Sequence, residues 1–315
     1  MHGQEITKND GLANHGLSTV VAQPRSLLRN ILWSTDFSVP SENSLPFAAA
    51  LARRYGSRLY ATHVISPYTQ CFGPGIALLR LGLAEQMAVR KMSELLYSQS
   101  LGDLPREKIV GLGKTSRVLA NMAQDFDIDL LILGTRGRTG IVGKILGAVA
   151  EETIRLSPCP VFSVRARIGR ASGNGVDFKH ILCATDFSSE SISAVRLALE
   201  WAKEHSARLT LLHAVEGCVA NTMEERRRLA VFFEKRLQTA IPARAMQIAG
   251  LEMQIEFGSA SESILEAAQQ SAADLLVLGA RKAEGLGGRP GRRTIAQLLS
   301  KARCPLLTVN QSAAV

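Results

Sequence analysis

"NILWSTDFSVPSENSLPFAAALARRYGSRLYATHVI", Asn30 to Ile65, opens on a short apolar run and breaks at Thr-Asp-Phe-Ser. It continues with apolar residues at helical spacing and closes on a second β-rich run. The same pattern returns without a gap as "HILCATDFSSESISAVRLALEWAKEHSARLTLLHAV", His180 to Val215, at an offset of 150 residues. Later segments repeat at an offset of 145: "DLLILGTR" (Asp129 to Arg136) with "DLLVLGAR" (Asp274 to Arg281), and "CPVFSV" from Cys159 with "CPLLTV" from Cys304. Self-similarity over this length means one structural unit used twice. The five residues by which the copies differ fall between His63 and Gly113, and the Gly-containing "CFGPGI" segment (Cys71 to Ile76) is the expected place.

Within each copy, short β-rich runs alternate with longer helical ones, the signature of βαβ units and a parallel sheet. Strands are expected near 28–34, 58–64, 106–110, 129–134 and 161–165, with helices near 41–55, 78–99, 116–126 and 146–156. "LLILG" is a near-continuous apolar run, as a central parallel strand covered on both faces requires. Proline in "SPCP" and "ARCP" stops the last helix of each copy. The expected organisation is a polar, disordered tail (1–25), a first α/β domain (26–166), a Gly-rich linker (167–177) and a second α/β domain (178–311).

Composition narrows the class. The chain has 315 residues, enough for two domains with cores of their own. Apolar residues make up 46% and charged residues 21%, and no apolar run has the length of a membrane span. Five cysteines without a Cys-x-x-Cys pair argue against a disulfide framework or a zinc site, and suit a reducing cytoplasm. The net charge of +9 is spread, with 18 basic and 13 acidic residues up to position 165 and 19 and 15 after it. Nucleic-acid binding calls for a concentrated basic stripe with aromatics. The densest run, "EERRR" (Glu224 to Arg228), mixes signs at helical spacing and reads as a solvated, paired helix face.

In an open parallel sheet, ligands bind beyond the carboxyl ends of the strands at the point where strand order reverses. Three loops of the first copy reach that region: the one holding Asp36, the strand end at His63-Val64, and "LGTRGRTGIVGKILGAVAEE" (Leu133 to Glu152). Glycines there let the backbone approach a ligand, and successive N–H groups with a helix N-terminus favour an anion. Arg136, Arg138 and Lys144 add positive charge. Neither the Walker A spacing nor Gly-x-Gly-x-x-Gly is present, and "GLGKTS" (Gly111 to Ser116) has Lys108 where a Walker glycine belongs. "DFDID" (Asp125 to Asp129) lacks the glycine and the final glutamate of an EF-hand loop. Cys159 and Cys304 read as packing residues and His63 and His213 as structural. No serine elbow, paired-carboxylate site or metal-ligand cluster is apparent, so no catalytic or metal residues are expected.

The chain resembles a tandem universal stress protein of the UspA family. Nucleotide-binding members of that family carry Gly-x2-Gly-x9-Gly-Ser/Thr after the fourth strand, matched here by Gly134, Gly137 and Gly147, with Ala148 where the hydroxyl usually stands. "TDFS", "HV" and "SPCPV" also match, and the two copies cover nearly everything after residue 28. The resemblance implies two Rossmann-like domains of the adenine nucleotide alpha hydrolase-like type, each a five-stranded parallel sheet flanked by helices. It further implies that the first binds ATP or another adenine nucleotide, with magnesium as the ion that would accompany the phosphates. The implied binding set is Ser34, Thr35, Asp36, Val64, Leu133, Gly134, Arg136, Gly137, Gly147, Ala148 and Val149. Asp36 is either an acceptor for a ribose hydroxyl or adenine amino group, or a cap on the first helix. Val64 is either an apolar wall with main-chain polar groups or an ordinary strand end.

In the second copy Gly279 persists, but Lys282, Arg292 and Arg293 stand for Gly137, Gly147 and Ala148, and Ala214 for Val64. That copy is expected not to bind ATP in the family manner, the rival being some other anion on those basic residues. The resemblance also implies that the fifth strands of the two halves pair edge to edge, with a homodimer and a signalling partner as further possibilities. The expectation is a cytoplasmic, nucleotide-binding, non-enzymatic stress-response protein, with a slow ATPase and a nucleotide-independent scaffold as alternatives.

Overall fold

The structure, a computed structural model, describes residues 28–66, 74–98, 101, 104–135, 148–165, 176–217, 222–242, 250–280 and 290–310. The N-terminal tail, most of the linker, and Arg136, Gly137 and Gly147 of the expected site lie outside them. The first half runs β1 (Asn30–Ser34), α1 (Val39–Glu42), α2 (Leu45–Tyr55), β2 (Arg58–Ile65), α3 (Pro74–Ser98), β3 (Arg106–Leu112), α4 (Thr115–Asp125), β4 (Leu130–Gly134), α5 (Ala148–Leu156) and β5 (Val161–Val164). The second half runs β6 (His180–Ala184), α6 (Ser189–His205), β7 (Arg208–Val215), α7 (Met223–Ala240), β8 (Leu251–Phe257), α8 (Ala260–Gln270), β9 (Leu275–Gly279), α9 (Pro290–Lys301) and β10 (Leu306–Val309).

These ten strands form one sheet in the order β3-β2-β1-β4-β5-β10-β9-β6-β7-β8. Each half is parallel and reverses its order beside its first strand, at β1/β4 and at β6/β9. The two fifth strands join the halves antiparallel, Leu306 opposite Ser163 and Thr308 opposite Val161, so the expected edge-to-edge pairing is present within the chain. Joining them covers two edges that would otherwise offer unpaired main chain. The β4 run is buried up to the half-buried Gly134, as its unbroken apolar sequence requires. One face of the sheet carries α2, α3, α6 and α7, and the other α4, α5, α8 and α9.

Residues at the seam meet across a pseudo-two-fold axis. Tyr55 and His205, equivalent by the repeat, hydrogen-bond to each other at 3.2 Å. Arg54 donates to the main-chain oxygen of Glu204. Beneath them Trp201 stacks on both Phe162 and Phe178, and those two rings meet tilted, at centroid distances of 5.7 to 6.4 Å. Such pairs each contribute about 0.5–1.5 kcal/mol beyond simple burial. Outside the stack, Arg165 donates to the Ala302 carbonyl and Asn310 to those of Ile154 and Ser157, so each half caps the last helix of the other.

One expectation is corrected. The helix expected over 41–55 is interrupted, because Pro46 cannot donate to the preceding turn and its ring crowds the carbonyl four residues back. Its counterpart Arg196 permits α6 to run unbroken for 17 residues. Of the segment "CFGPGI", expected to carry the length difference between the halves, Cys71 to Gly73 lie outside the described residues and Pro74 to Ile76 open α3, which has 25 residues against 18 in α7, while the longer connection after α7 takes back part of the difference.

Candidate functional site

Thr-Asp-Phe-Ser builds the same turn at the carboxyl end of β1 and of β6. The Thr35 hydroxyl accepts from the Phe37 N–H at 2.9 Å and contacts the Ser41 hydroxyl at 3.0 Å. Asp36 Oδ1 accepts from both the N–H and the hydroxyl of Ser38. Phe37 takes a left-handed φ of 60°, unfavourable for a bulky residue, and is held by its ring contact with His63 at 4.4 Å. His63 Nδ1 donates to the Thr35 carbonyl at 2.8 Å, which fixes its tautomer and gives it the structural role expected. The turn of Thr185, Asp186, Phe187 and Ser188 with His213 repeats each of these contacts. Burial holds the His213 ring below the usual histidine range despite that carbonyl. The N-cap of α1 is Ser38 and not Asp36, whose carboxylate shapes the turn that presents the cap.

Gly134 ends β4 with Leu133 opposite Ser163 and Ser34. A Cβ on Gly134 would lie 2.7 Å from main-chain atoms of Pro40 and Ser41, and one on Gly279 would meet Glu190 and Ser191 in the same way. This glycine therefore lets the first helical turn cross the strand end, a requirement of the fold that both halves share. After it, Thr135 is buried, and its hydroxyl has no hydrogen-bond partner among the described residues. The second half has Ala280 there. Thr135 was not among the expected site residues, because an isolated threonine in a glycine-rich run carries no sequence signal.

Val64 stands two residues beyond Thr62, the partner of the last β1 residue, Ser34. Along β2 the even-numbered residues face β1, since Arg58 donates to Arg29 and Thr62 accepts from Thr35, while Leu59 and Ile65 bond toward β3. Both polar groups of a parallel-strand residue point the same way. Hence the Val64 main chain is directed past β1 toward the crevice where β1 and β4 diverge, and its side chain is buried. Ala148 and Val149 open α5 and are exposed, facing solvent at the far end of the loop after β4. Nearby, Lys114 at the N-cap of α4 reaches Glu152 of α5 at 2.6 Å, and this hydrogen bond holds the Glu152 carboxyl below its usual range.

Ser34, Thr35, Asp36, Val64, Leu133 and Gly134 thus gather at the reversal point. The second half departs from this plan after β9. Its last helix has 12 residues against nine in α5, both ending at corresponding positions, so α9 begins one turn earlier, at Pro290. Proline is well suited to a first helical position. Arg292 and Arg293 therefore belong to that first turn, and the Arg293 side chain is exposed. Among the described residues no three His, Cys, Asp or Glu side chains come together as a metal site. No described helix is long and apolar enough to cross a membrane.

The profile of the universal stress protein family matches residues 28–165 and again 177–310. A universal stress protein of Synechocystis sp. is 25% identical over 307 residues, spanning 89% of this chain and 99% of its own length. Another, from Thermus aquaticus, is 33% identical over 140 residues, 44% of this chain and all of its own. Among solved structures, a universal stress protein from Archaeoglobus fulgidus shares the fold with a TM-score of 0.65 at 17% identity, over 91% of this chain and 99% of its own. Two family units, joined through their fifth strands into one sheet, account for nearly all of the described chain, which belongs to the universal stress protein family in tandem form.

Proposed function

We propose that the first half binds ATP or a related adenine nucleotide at the β1/β4 reversal point, as a cytoplasmic stress-response protein whose nucleotide state is read by a partner. The second half is its non-binding companion. The observation that carries this is the difference between two halves with the same backbone plan. Where the first has Thr135, Gly137 and Gly147, the second has Ala280, Lys282 and Arg292. The buried Thr135 hydroxyl, without a partner among the described residues, suits a site in which a further acceptor arrives. The Val64 main chain offers a donor and an acceptor to a base, and Asp36 at the turn offers an acceptor to a ribose. A magnesium ion would accompany the phosphates.

Titration calorimetry of the full chain with ATP, with ADP and AMP as further arms, tests this. One nucleotide per chain is expected, and Gly137→Lys, which copies the second half, abolishes the heat. Ala148→Ser restores the family's hydroxyl and tightens binding about tenfold, the worth of one hydrogen bond to a charged acceptor. Absence of heat and of a thermal shift at about millimolar ATP defeats the proposal in favour of a nucleotide-independent scaffold. ATP turnover lost in Asp36→Ala would instead make the protein an enzyme.

A further inference from the structure

α3 presents an ordered stripe to solvent. Ala88, Met92 and Leu96 bury its inner face. On the opposite face Leu83, Met87 and Tyr97 are 52%, 71% and 88% exposed. Between Met87 and Tyr97 lie Arg90 and Glu94, with side chains 84% and 62% exposed, paired at 3.0 Å. Positions 83, 87, 90, 94 and 97 alternate steps of four and three, the spacing of a coiled-coil seam. The corresponding helix α7 exposes Met223, Val231 and Phe232, but at 100° per residue these point in three directions and form no stripe.

From Met87 to Tyr97 the order along the seam is apolar, basic, acidic, apolar. Rotation by 180° about an axis at the level of residue 92 lays that order on its own complement: Arg90 meets Glu94 of a second copy, and Met87 meets its Tyr97. These are the pairings antiparallel helices use when such seams interdigitate, and a surface that complements itself is what a two-fold dimer requires. We infer that α3 is a self-association surface, through which two copies of this chain pair by antiparallel packing of the Leu83–Tyr97 stripe. In each copy Arg90 and Glu94 are already partners within one helix, so pairing exchanges the two intrahelical ion pairs for two crossed ones and desolvates no lone charge. A contact of one helix per copy sits at the small end of specific interfaces, so the dimer is concentration-dependent. The inference is independent of nucleotide binding, since α3 supplies none of the proposed site residues.

Sedimentation equilibrium of the full chain from about 1 µM to about 200 µM, the range suited to an interface of this size, tests it. The mass should climb from monomer toward dimer. Met87→Glu should hold it at monomer throughout. Arg90→Glu or Glu94→Arg alone places like charges face to face and should weaken association at least about tenfold, whereas the double exchange R90E/E94R should restore it. All these side chains are exposed, and an unchanged thermal midpoint at low concentration verifies that each variant folds. Three results would each overturn the inference: a monomer at every concentration, a dimer indifferent to Met87→Glu, or a double exchange no better than its singles.

Discussion

The two halves agree where the fold demands it and differ where a ligand would be met. The turn of Thr35, Asp36, Phe37 and Ser38 and that of Thr185 to Ser188 share their hydrogen bonds, their left-handed phenylalanine and their histidine brace. Gly134 and Gly279 meet the same helical turn. Beyond the ends of β4 and β9 this agreement stops: Thr135 gives way to Ala280, and α9 begins a turn earlier than α5. A feature common to both halves is thus an argument for architecture, and only a feature of one half can argue for its ligand.

The strongest test of that division is Gly134→Ala beside Gly279→Ala. If these glycines serve the fold, each variant loses about 3 kcal/mol or more, because the added Cβ meets main chain that cannot rotate aside. The loss at Gly279 should be the larger, since its neighbours lie closer. Urea denaturation of both variants measures it. A Gly134→Ala protein of native stability that had lost only nucleotide affinity would return this glycine to the ligand and blur the comparison.

Much of this was legible beforehand because strand periodicity and the repeat reinforce one another. An apolar run such as Leu130 to Leu133 has few alternatives once its twin at Leu275 to Leu278 is recognised. The pairing of the fifth strands was implied by the family resemblance, not by any local pattern. Gly134 was harder, since a glycine needed for close approach to a helix is spelled like one needed for close approach to a phosphate. Pro46 marked a break that apolar spacing alone passed over. The Tyr55–His205 contact was hidden in the offset of 150, which becomes meaningful only when an axis places equivalent residues side by side. The clamp by Asp129, which accepts from the N–H groups of Arg29 and Asn30 as Asp274 does from Lys179 and His180, depends on a crossing that local pattern does not express.

The seam sharpens the comparison further, because the axis pairs unlike residues at equivalent positions. Burial, with Arg54 close by, holds His205 down to about 4, and burial pushes the Tyr55 hydroxyl up to about 12. Nδ1 of His205 is buried without a partner among the described residues, so a second proton there gains no hydrogen bond from them. The folded-state value lies below the unfolded one, so the unfolded chain binds a proton that the native one refuses. Stability contributed by neutral His205 is whole above about pH 6.5 and is lost as pH falls toward 4, by at most about 3 kcal/mol. Unfolding free energies measured from pH 7.5 down to 5, above most carboxylate titrations, should fall with pH, and His205→Phe should flatten that slope. An unchanged slope would mean the seam admits enough water to solvate the ring.

The smallest expected effect separates the two N-caps. Ser38 and Ser188 both donate to the aspartate two residues before them, but only Ser188 accepts, at 3.3 Å, from the N–H of Ser191. An N-cap oxygen serves the second or third N–H of its helix. In α1 the second residue is Pro40, which has no N–H, and the helix ends after four residues, so little of its first turn remains to be capped. In α6 the cap opens 17 continuous residues. Ser188→Ala should therefore cost about 0.5–1 kcal/mol more than Ser38→Ala, the share of the effect that belongs to capping once the common loss of the aspartate contact is subtracted. Equal losses in urea denaturation would place the whole contribution of these serines in the aspartate turn, and the two copies of the motif would then be energetically as well as geometrically the same.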